Sequence, residues 1–273
     1  MNRPRYISTE VAAALEASSV EFLGAGAFGD TWRAGDTAVK IICEDGYPAE
    51  RVAREVSGLQ RVSSDYVVNL LSAGTVSLGG KDRPTLTFEY VAGGDLEQAL
   101  AQGYLPESDE VDALLIGLLR GLRDMHTADG TVHRDIKPAN VALRGGDWAR
   151  PVILDLGLAR SMTESTLTVY PGRLGTATYM APEQIRGERA RKAADLFAVG
   201  VTVLTVATGE HPFYSANQTY TWDEALAQIT AGPKPMPATL SSQARTVLER
   251  LVHAEEFERG SASSNLRRME QHL

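Results

Sequence analysis

The segment His133-Arg134-Asp135-Ile136-Lys137-Pro138-Ala139-Asn140 places a base candidate, two cations and a metal-competent amide within eight residues. A little further on, Asp155-Leu156-Gly157 follows the apolar run Val152-Ile153-Leu154. An aspartate at a strand end before glycine suits a Mg²⁺ ligand. A polar turn accounts for either segment alone and poorly for both together. Upstream, Gly24-Ala25-Gly26-Ala27-Phe28-Gly29 lies between two short apolar runs. Glycines there let backbone N–H groups approach a phosphate without side-chain obstruction. Alone, the pattern also fits a tight hairpin or a dinucleotide fingerprint. The fingerprint needs a helix after the glycines, and Asp30-Thr31-Trp32-Arg33 is a poor helix start. Lys40 ends the apolar segment Ala38-Val39, and Glu55 lies on the following helical stretch. A buried Lys–Glu pair is costly unless it positions something charged.

These residues need elements to hold them. Ile7, Val11 and Leu15 recur every four residues, with Ser8 or Thr9 as candidate cap, so a helix is expected within an extension spanning 1–19. Val20–Leu23, Thr31–Arg33 and Thr37–Ile42 read as strands. Pro48 opens a helix through Val62 with Val52, Val56 and Leu59 on one face. Val67–Leu71 and Leu86–Val91 read as strands, with Gly79-Gly80 as the turn between. Beyond Ala92-Gly93-Gly94 the pattern becomes helical, over 95–101, 108–127, 195–208, 222–231 and 241–253. Two short strands near 141–144 and 151–154 are joined by Gly145-Gly146-Asp147. Pro233, Pro235 and Pro237 mark a surface connection. The class is α+β: a small β-rich lobe of about 20–91, a hinge of about 89–94 and a larger helical lobe of about 95–273.

Composition narrows the function classes. Apolar residues make up 43% of 273, which excludes a disordered chain. The net charge of −8 argues against non-specific nucleic-acid binding. One cysteine, Cys43, excludes an internal disulfide framework and suggests a reducing compartment. It reads as a small core residue at a strand end. The longest apolar stretch, Leu196–Ala207, is too short for a bilayer, and no apolar core follows Arg3 and Arg5 as in a signal peptide. A cytoplasmic location is expected.

Together these segments resemble the eukaryotic-type (Hanks-type) serine/threonine protein kinases, and the alanine- and glycine-rich style points to a bacterial member. The matches fall in order from Gly24 to Arg259. The resemblance implies a bilobal fold and ATP-dependent transfer to Ser/Thr hydroxyls of proteins. It places Gly24, Gly26 and Gly29 over the phosphates and Lys40 on the α- and β-phosphates, oriented by Glu55. Asp135 becomes the catalytic base, Lys137 a partner of the transferred group, and Asn140 and Asp155 the ligands of Mg²⁺ or Mn²⁺. Glu89-Tyr90-Val91 resembles the adenine-binding hinge, with Phe88 as gatekeeper and Asp95 near the ribose. Gly175 to Glu183 resembles the end of an activation segment, in which Thr176 contacts Asp135 and Lys137 and Glu183 pairs with Arg259. Asp195 matches a buried helix aspartate that anchors the catalytic loop.

Several positions depart from the family pattern. Thr31 stands where valine is usual above the adenine, and Ala142 where leucine is usual below it. A lost leucine contact is worth ~1–2 kcal/mol, so modest ATP affinity or an enlarged pocket is expected. Leu156 replaces a phenylalanine, and Ala139 weakens the case for a basic recognition sequence. Arg134 resembles the arginine that receives an activation-loop phosphate; Thr166 and Thr168 are the favoured acceptors in a loop that also carries Arg160, Ser161, Thr163, Ser165 and Arg173. Autophosphorylation there would suit a homodimer. Two rivals are a pseudokinase scaffold, opposed by Lys40, Glu55, Asp135, Asn140 and Asp155 together, and a kinase-like small-molecule phosphotransferase, opposed by Lys137 and the Thr176–Glu183 segment.

Overall fold

The computed structural model describes residues 3–26, 28–128, 131–155, 178–216 and 218–271. The chain forms two compact units: residues 1–63 with 68–90, and residues 64–67 with 91–273.

The first unit is a five-stranded antiparallel sheet of order β1-β2-β3-β5-β4, with two helices. Its strands are β1 (Glu21–Ala25), β2 (Gly29–Ala34), β3 (Thr37–Ile42), β4 (Leu70–Leu78) and β5 (Lys81–Glu89). Its helices are α1 (Ser8–Ala14) and α2 (Ala49–Leu59). Cross-strand partners share a face. Trp32 pairs with Val39 and Asp30 with Ile41, so these four point to one side. There Trp32, Val39, Ile41 and Leu78 bury against Val11 of α1. Thr31, Lys40 and Leu86 are paired on the opposite side. The helix α1 therefore covers the sheet face away from Lys40. Its cap is Ile7, with extended backbone and no side-chain cap bond, rather than Ser8 or Thr9. The Ile7 carbonyl accepts from Glu10 and Val11, and burial of Val11 stabilises the helix in place of a capping hydroxyl.

The strands β4 and β5 start well away from their expected positions. The strand β4 begins at Leu70 and runs to Leu78, with an irregularity between Leu70 and Ser72. Val67 instead forms an isolated parallel bridge with Ile153 in the second unit. As the outer strand, β4 is exposed along most of its length, so Ser72, Ala73, Gly74 and Thr75 carry no apolar alternation. The strand β5 starts earlier, at Lys81, and contains Pro84. Its pairing with β3 begins only at Thr85, so the missing proline N–H costs no bond on that side.

The second unit contains α3 (Leu96–Ala101), α4 (Ser108–Thr127), the pair β6 (Val141–Leu143) and β7 (Pro151–Ile153), α5 (Pro182–Ile185), α6 (Lys192–Thr208), α7 (Trp222–Ala231), α8 (Ser242–Leu251) and α9 (Ala262–Glu270). The apolar stretch 196–206 of α6 is buried on every side, as befits the centre of a helical core. Gly200 of α6 lies where a Cβ would come within 2.8 Å of Leu251 and Val252 at the end of α8. Gly93, at φ +129°, lies where a Cβ would meet the Leu143 carbonyl at 2.0 Å. The glycine at 93 thus answers to a close backbone approach, sealed by the Gly145 amide donating to Ala92 O and the Leu143 amide to Gly94 O. Among the described residues no helix is long and apolar enough to cross a membrane.

After α6, His211 sits among rings. Its centroid is 4.6 Å from that of Tyr214 and 5.5 Å from that of Tyr179. Nδ1 accepts from the Phe213 and Tyr214 amides, so Nε2 carries the hydrogen donated to Thr178 O at 3.0 Å. A second proton would face two N–H donors. Burial lowers the pKa of this histidine from 6.5 to about 4, with the Lys234 charge acting in the same direction. Above pH 6.5 both folded and unfolded chains hold a neutral imidazole. Between 6.5 and about 4 only the unfolded chain takes the proton, so stability falls as pH falls. The melting temperature should drop across this window by about 2–4 °C per kcal/mol of linked protonation. His211→Gln keeps a donor for Thr178 O and should show a shallower drop, measured by thermal denaturation at pH 7, 6 and 5.

Candidate active site

In the second unit the 133–140 loop is built around Asp195, which is fully buried in the first turn of α6. Its Oδ2 accepts from the His133 amide at 2.9 Å and its Oδ1 from the Arg134 amide at 2.8 Å. The His126 ring lies 2.9 Å from Oδ2. Arg134 takes φ +70°, a left-handed conformation that costs a non-glycine residue about 1–3 kcal/mol. The two amide bonds to a buried carboxylate hold it there, and Gln184 adds a bond from Nε2 to Arg134 O at 3.2 Å. His133 Nδ1 accepts from the Asp135 amide at 3.2 Å, so its Nε2 donates to Leu154 O at 2.8 Å. The residue before Asp155 is thereby tied to the loop, and Leu154 N donates to Asn140 O.

At the tip of this loop the Asp135 side chain is 45% exposed. Lys137 Nζ reaches its Oδ2 at 2.9 Å. Asn140 Nδ2 donates to Asp135 O at 2.7 Å and to Oδ2 at 3.1 Å. Three of the predicted residues therefore share one carboxylate. The same bonds occupy the Asn140 amide nitrogen and leave Oδ1 as its remaining ligand atom. Asp155 is exposed and takes φ +45°. An amide oxygen and a carboxylate are the hard donors that suit a divalent cation such as Mg²⁺.

Glu183 and Arg259, expected to pair, form a bidentate bridge at 2.7 and 3.0 Å with both side chains buried. Asp95 caps α3, its Oδ1 accepting from the Gln98 amide at 2.8 Å. Burial raises its pKa against the lowering effect of those cap bonds. Ala142 is buried in β6, opposite Val152. Val91 is buried as well.

The first unit holds the other predicted residues. Lys40 lies on β3 between Thr31 and Leu86. Glu55 lies on α2, and its side chain is outside the described residues. Phe88 of β5 is buried. Glu89 Oε1 accepts from the Asn69 amide at 3.1 Å, and Arg33 stacks 4.1 Å from the Tyr90 ring centroid. Gly26 N donates to Gly29 O at 2.8 Å, closing the glycine-rich turn. The glycines are not equivalent. A Cβ at Gly29 would lie 2.0 Å from Ile41 O, so strand packing demands glycine there. A Cβ at Gly24 would meet nothing within 4 Å, and neither Gly24 nor Gly26 needs positive φ. Leu156, Gly157, Thr166, Thr168, Thr176 and the loop residues 158–175 lie outside the described residues.

The five-stranded unit thus carries a glycine-rich turn and a strand lysine, and the helical unit carries an aspartate–lysine–asparagine loop. The chain matches the Protein kinase domain family over residues 17–269, and it belongs to that family. Relatives include the probable serine/threonine-protein kinase PkwA of Thermomonospora curvata, 31% identical over 80% of this chain and 29% of that protein. The serine/threonine-protein kinase PkaA of Streptomyces coelicolor is 31% identical over 89% of this chain and 47% of that protein. The chain thus spans less than half of these relatives. The crystal structure of Rad53 1-466 in complex with AMP-PNP superposes with a TM-score of 0.70 at 27% identity, covering 90% of this chain and 62% of that one. Its curated relatives are bacterial serine/threonine-protein kinases, and the protein kinase family uses ATP and a divalent metal ion.

The unequal glycines give a prediction. Gly29→Ala should cost about 1–3 kcal/mol of stability through the clash with β3. Gly24→Ala should leave the melting temperature unchanged and raise the KM for ATP roughly 3–10-fold. Denaturation and steady-state kinetics on the two variants separate these effects.

Proposed function

We propose that this chain transfers the γ-phosphoryl group of ATP to serine or threonine hydroxyls of protein substrates. The observation that carries the reading is the Asp135 carboxylate, exposed yet held by Lys137 and Asn140 on a loop anchored to buried Asp195. Asp135 orients the hydroxyl and accepts its proton as the oxygen attacks the γ-phosphorus. The bond from that phosphorus to the β–γ bridging oxygen breaks, and ADP leaves. Lys137, placed beside Asp135, offsets charge on the transferred group. Gly24 and Gly26 admit the phosphates, and Lys40, oriented by Glu55, holds the α- and β-phosphates. Glu89 and Val91 supply backbone groups to the adenine, and Asp95 lies near the ribose. Asn140 and Asp155 would hold Mg²⁺, or Mn²⁺ in its place. That ion, when bound, neutralises phosphate charge.

Arg134 and an autophosphorylated Thr166 or Thr168 form the regulatory part of this reading, with Thr176 reaching Asp135 and Lys137. Transfer between two copies of the chain would require a transient homodimer. ATP use and a single cysteine favour a cytoplasmic location. Residues 20–273 are the catalytic domain in this reading, with 1–19 as an N-terminal extension.

Labelled ATP, a divalent cation and a generic protein substrate test the proposal. The wild type should label protein, and Asp135→Asn should lower turnover by about 10²–10⁴-fold while nucleotide binding persists. Phosphopeptides from residues 158–175 should appear in the wild type and not in Asp135→Asn made in the same host. Transfer to a small molecule alone, or no transfer with any divalent ion, would overturn the reading.

A further inference from the structure

The residues before α1 contact the glycine-rich turn directly. Asp30 follows Gly29 in β2 and is fully buried on the α1 side of the sheet. A buried carboxylate is costly unless it is paired and hydrogen-bonded. Arg5 supplies both: its backbone amide donates to Asp30 Oδ2 at 2.6 Å, and its Nη1 pairs with Oδ1. The other arm of the same guanidinium, Nη2, donates to Gly26 O at 2.9 Å. The Gly26 amide meanwhile donates to Gly29 O. Both backbone polar groups of Gly26 are therefore engaged, one of them by a residue 21 positions upstream.

The rest of the segment is fixed too. Val11 is buried against Trp32, Val39 and Ile41, and the Tyr6 ring packs where a Cβ on Gly79 would stand. Phe28 O accepts from the Cys43 and Glu44 amides on one side of the turn, and Arg5 ties the packed segment to the Gly26 side, where the two open glycines carry no side chain. A planar fork can hold a carboxylate and a carbonyl at once, which a lysine ammonium on a single stem does less well.

We propose that Arg5 is a positioning residue for nucleotide binding: through Asp30 and Gly26 O it restrains the glycine-rich turn in the conformation that receives the phosphates of ATP. This rests on the kinase reading for its ligand, whereas the restraint itself rests on the geometry of the first unit alone. Losing the restraint frees the turn before ATP binds, so binding must then order it and the apparent affinity falls. The chemical step, once ATP is seated, is little changed.

The test uses the whole chain as wild type, Arg5→Ala and Arg5→Lys. In nucleotide-free protein, amides of residues 24–29 should exchange about fivefold faster in Arg5→Ala, and the KM for ATP should rise about 5–10-fold with kcat held within about twofold. Arg5→Lys keeps a charge for Asp30 and loses the fork, so both readouts should fall between; it also serves if Arg5→Ala folds poorly. A lower melting temperature with unchanged turn exchange and unchanged ATP KM would overturn the proposal and leave Arg5 as a structural anchor. Equal loss in kcat with no change in KM would overturn it as well. Faster exchange in Arg5→Ala, beside a wild type that transfers no phosphate, would support the restraint and sink the kinase reading instead.

Discussion

A single buried carboxylate organises the candidate active site. Asp195 has no access to solvent, so its carboxylate needs hydrogen-bond donors in place of the lost water. It finds them in the amides of His133 and Arg134 and in the ring of His126. Charge-assisted bonds of this kind are stronger than neutral ones. They offset the left-handed backbone at Arg134, which an ordinary loop would relax. That strained turn carries the next residue, Asp135, outward. Without the anchor, the polar loop would relax to one of many alternatives, and Lys137 and Asn140 would lose their common partner. Positioning is what the proposed phosphoryl transfer asks of the chain, and a solvent-excluded anchor behind an exposed carboxylate suits that demand.

The Glu183–Arg259 bridge follows the same logic at a second place. Arg259 is fully buried, and each of its five N–H donors has an acceptor: Glu183 twice, then His253 O, Ala193 O and Ala254 O. Phe197 of α6 lies 4.9 Å from the guanidinium carbon. A lysine could fill neither the fork nor the stacking contact. The pair ties the start of α5 to the turn at Glu256–Arg259, next to the helix that carries Asp195. Removing one partner of such a buried pair leaves an uncompensated charge, at a cost of about 3–5 kcal/mol.

How legible each feature is in the sequence follows from how local its signal is. The 133–140 loop, the aspartate after β7 and the long helices α4 and α6 are contiguous, and their chemistry or periodicity is strong. The helix α9 escapes a periodicity reading because Asn265 occupies a core position, where its Nδ2 donates to Arg259 O, and serines fill its first turn. A capping Ser261 with Leu266 and Met269 three apart is the available signal. The outer strand β4 is displaced from its expected start because an exposed strand of small residues carries no alternation. At Asp95 the structure shows a helix cap that the motif alone does not signal. The three glycines look alike in the sequence, and only packing against Ile41 separates Gly29 from the others.

The first unit ties a segment outside any motif to the glycine-rich turn. Alternation along β2 sends Thr31 to the side of Lys40 and sends Asp30 and Trp32 to the other. A sheet face carrying Trp32, Val39 and Ile41 must be covered, and α1 covers it with Val11. Once that face is covered, Asp30 is cut off from water and requires a cation delivered by the covering segment itself. Arg5 is that cation, and its second arm falls on the glycine-rich turn because Asp30 follows that turn directly. A hydrophobic requirement on one face of the sheet thus becomes an electrostatic requirement one residue past Gly29. The turn's geometry depends on residues that no kinase motif includes.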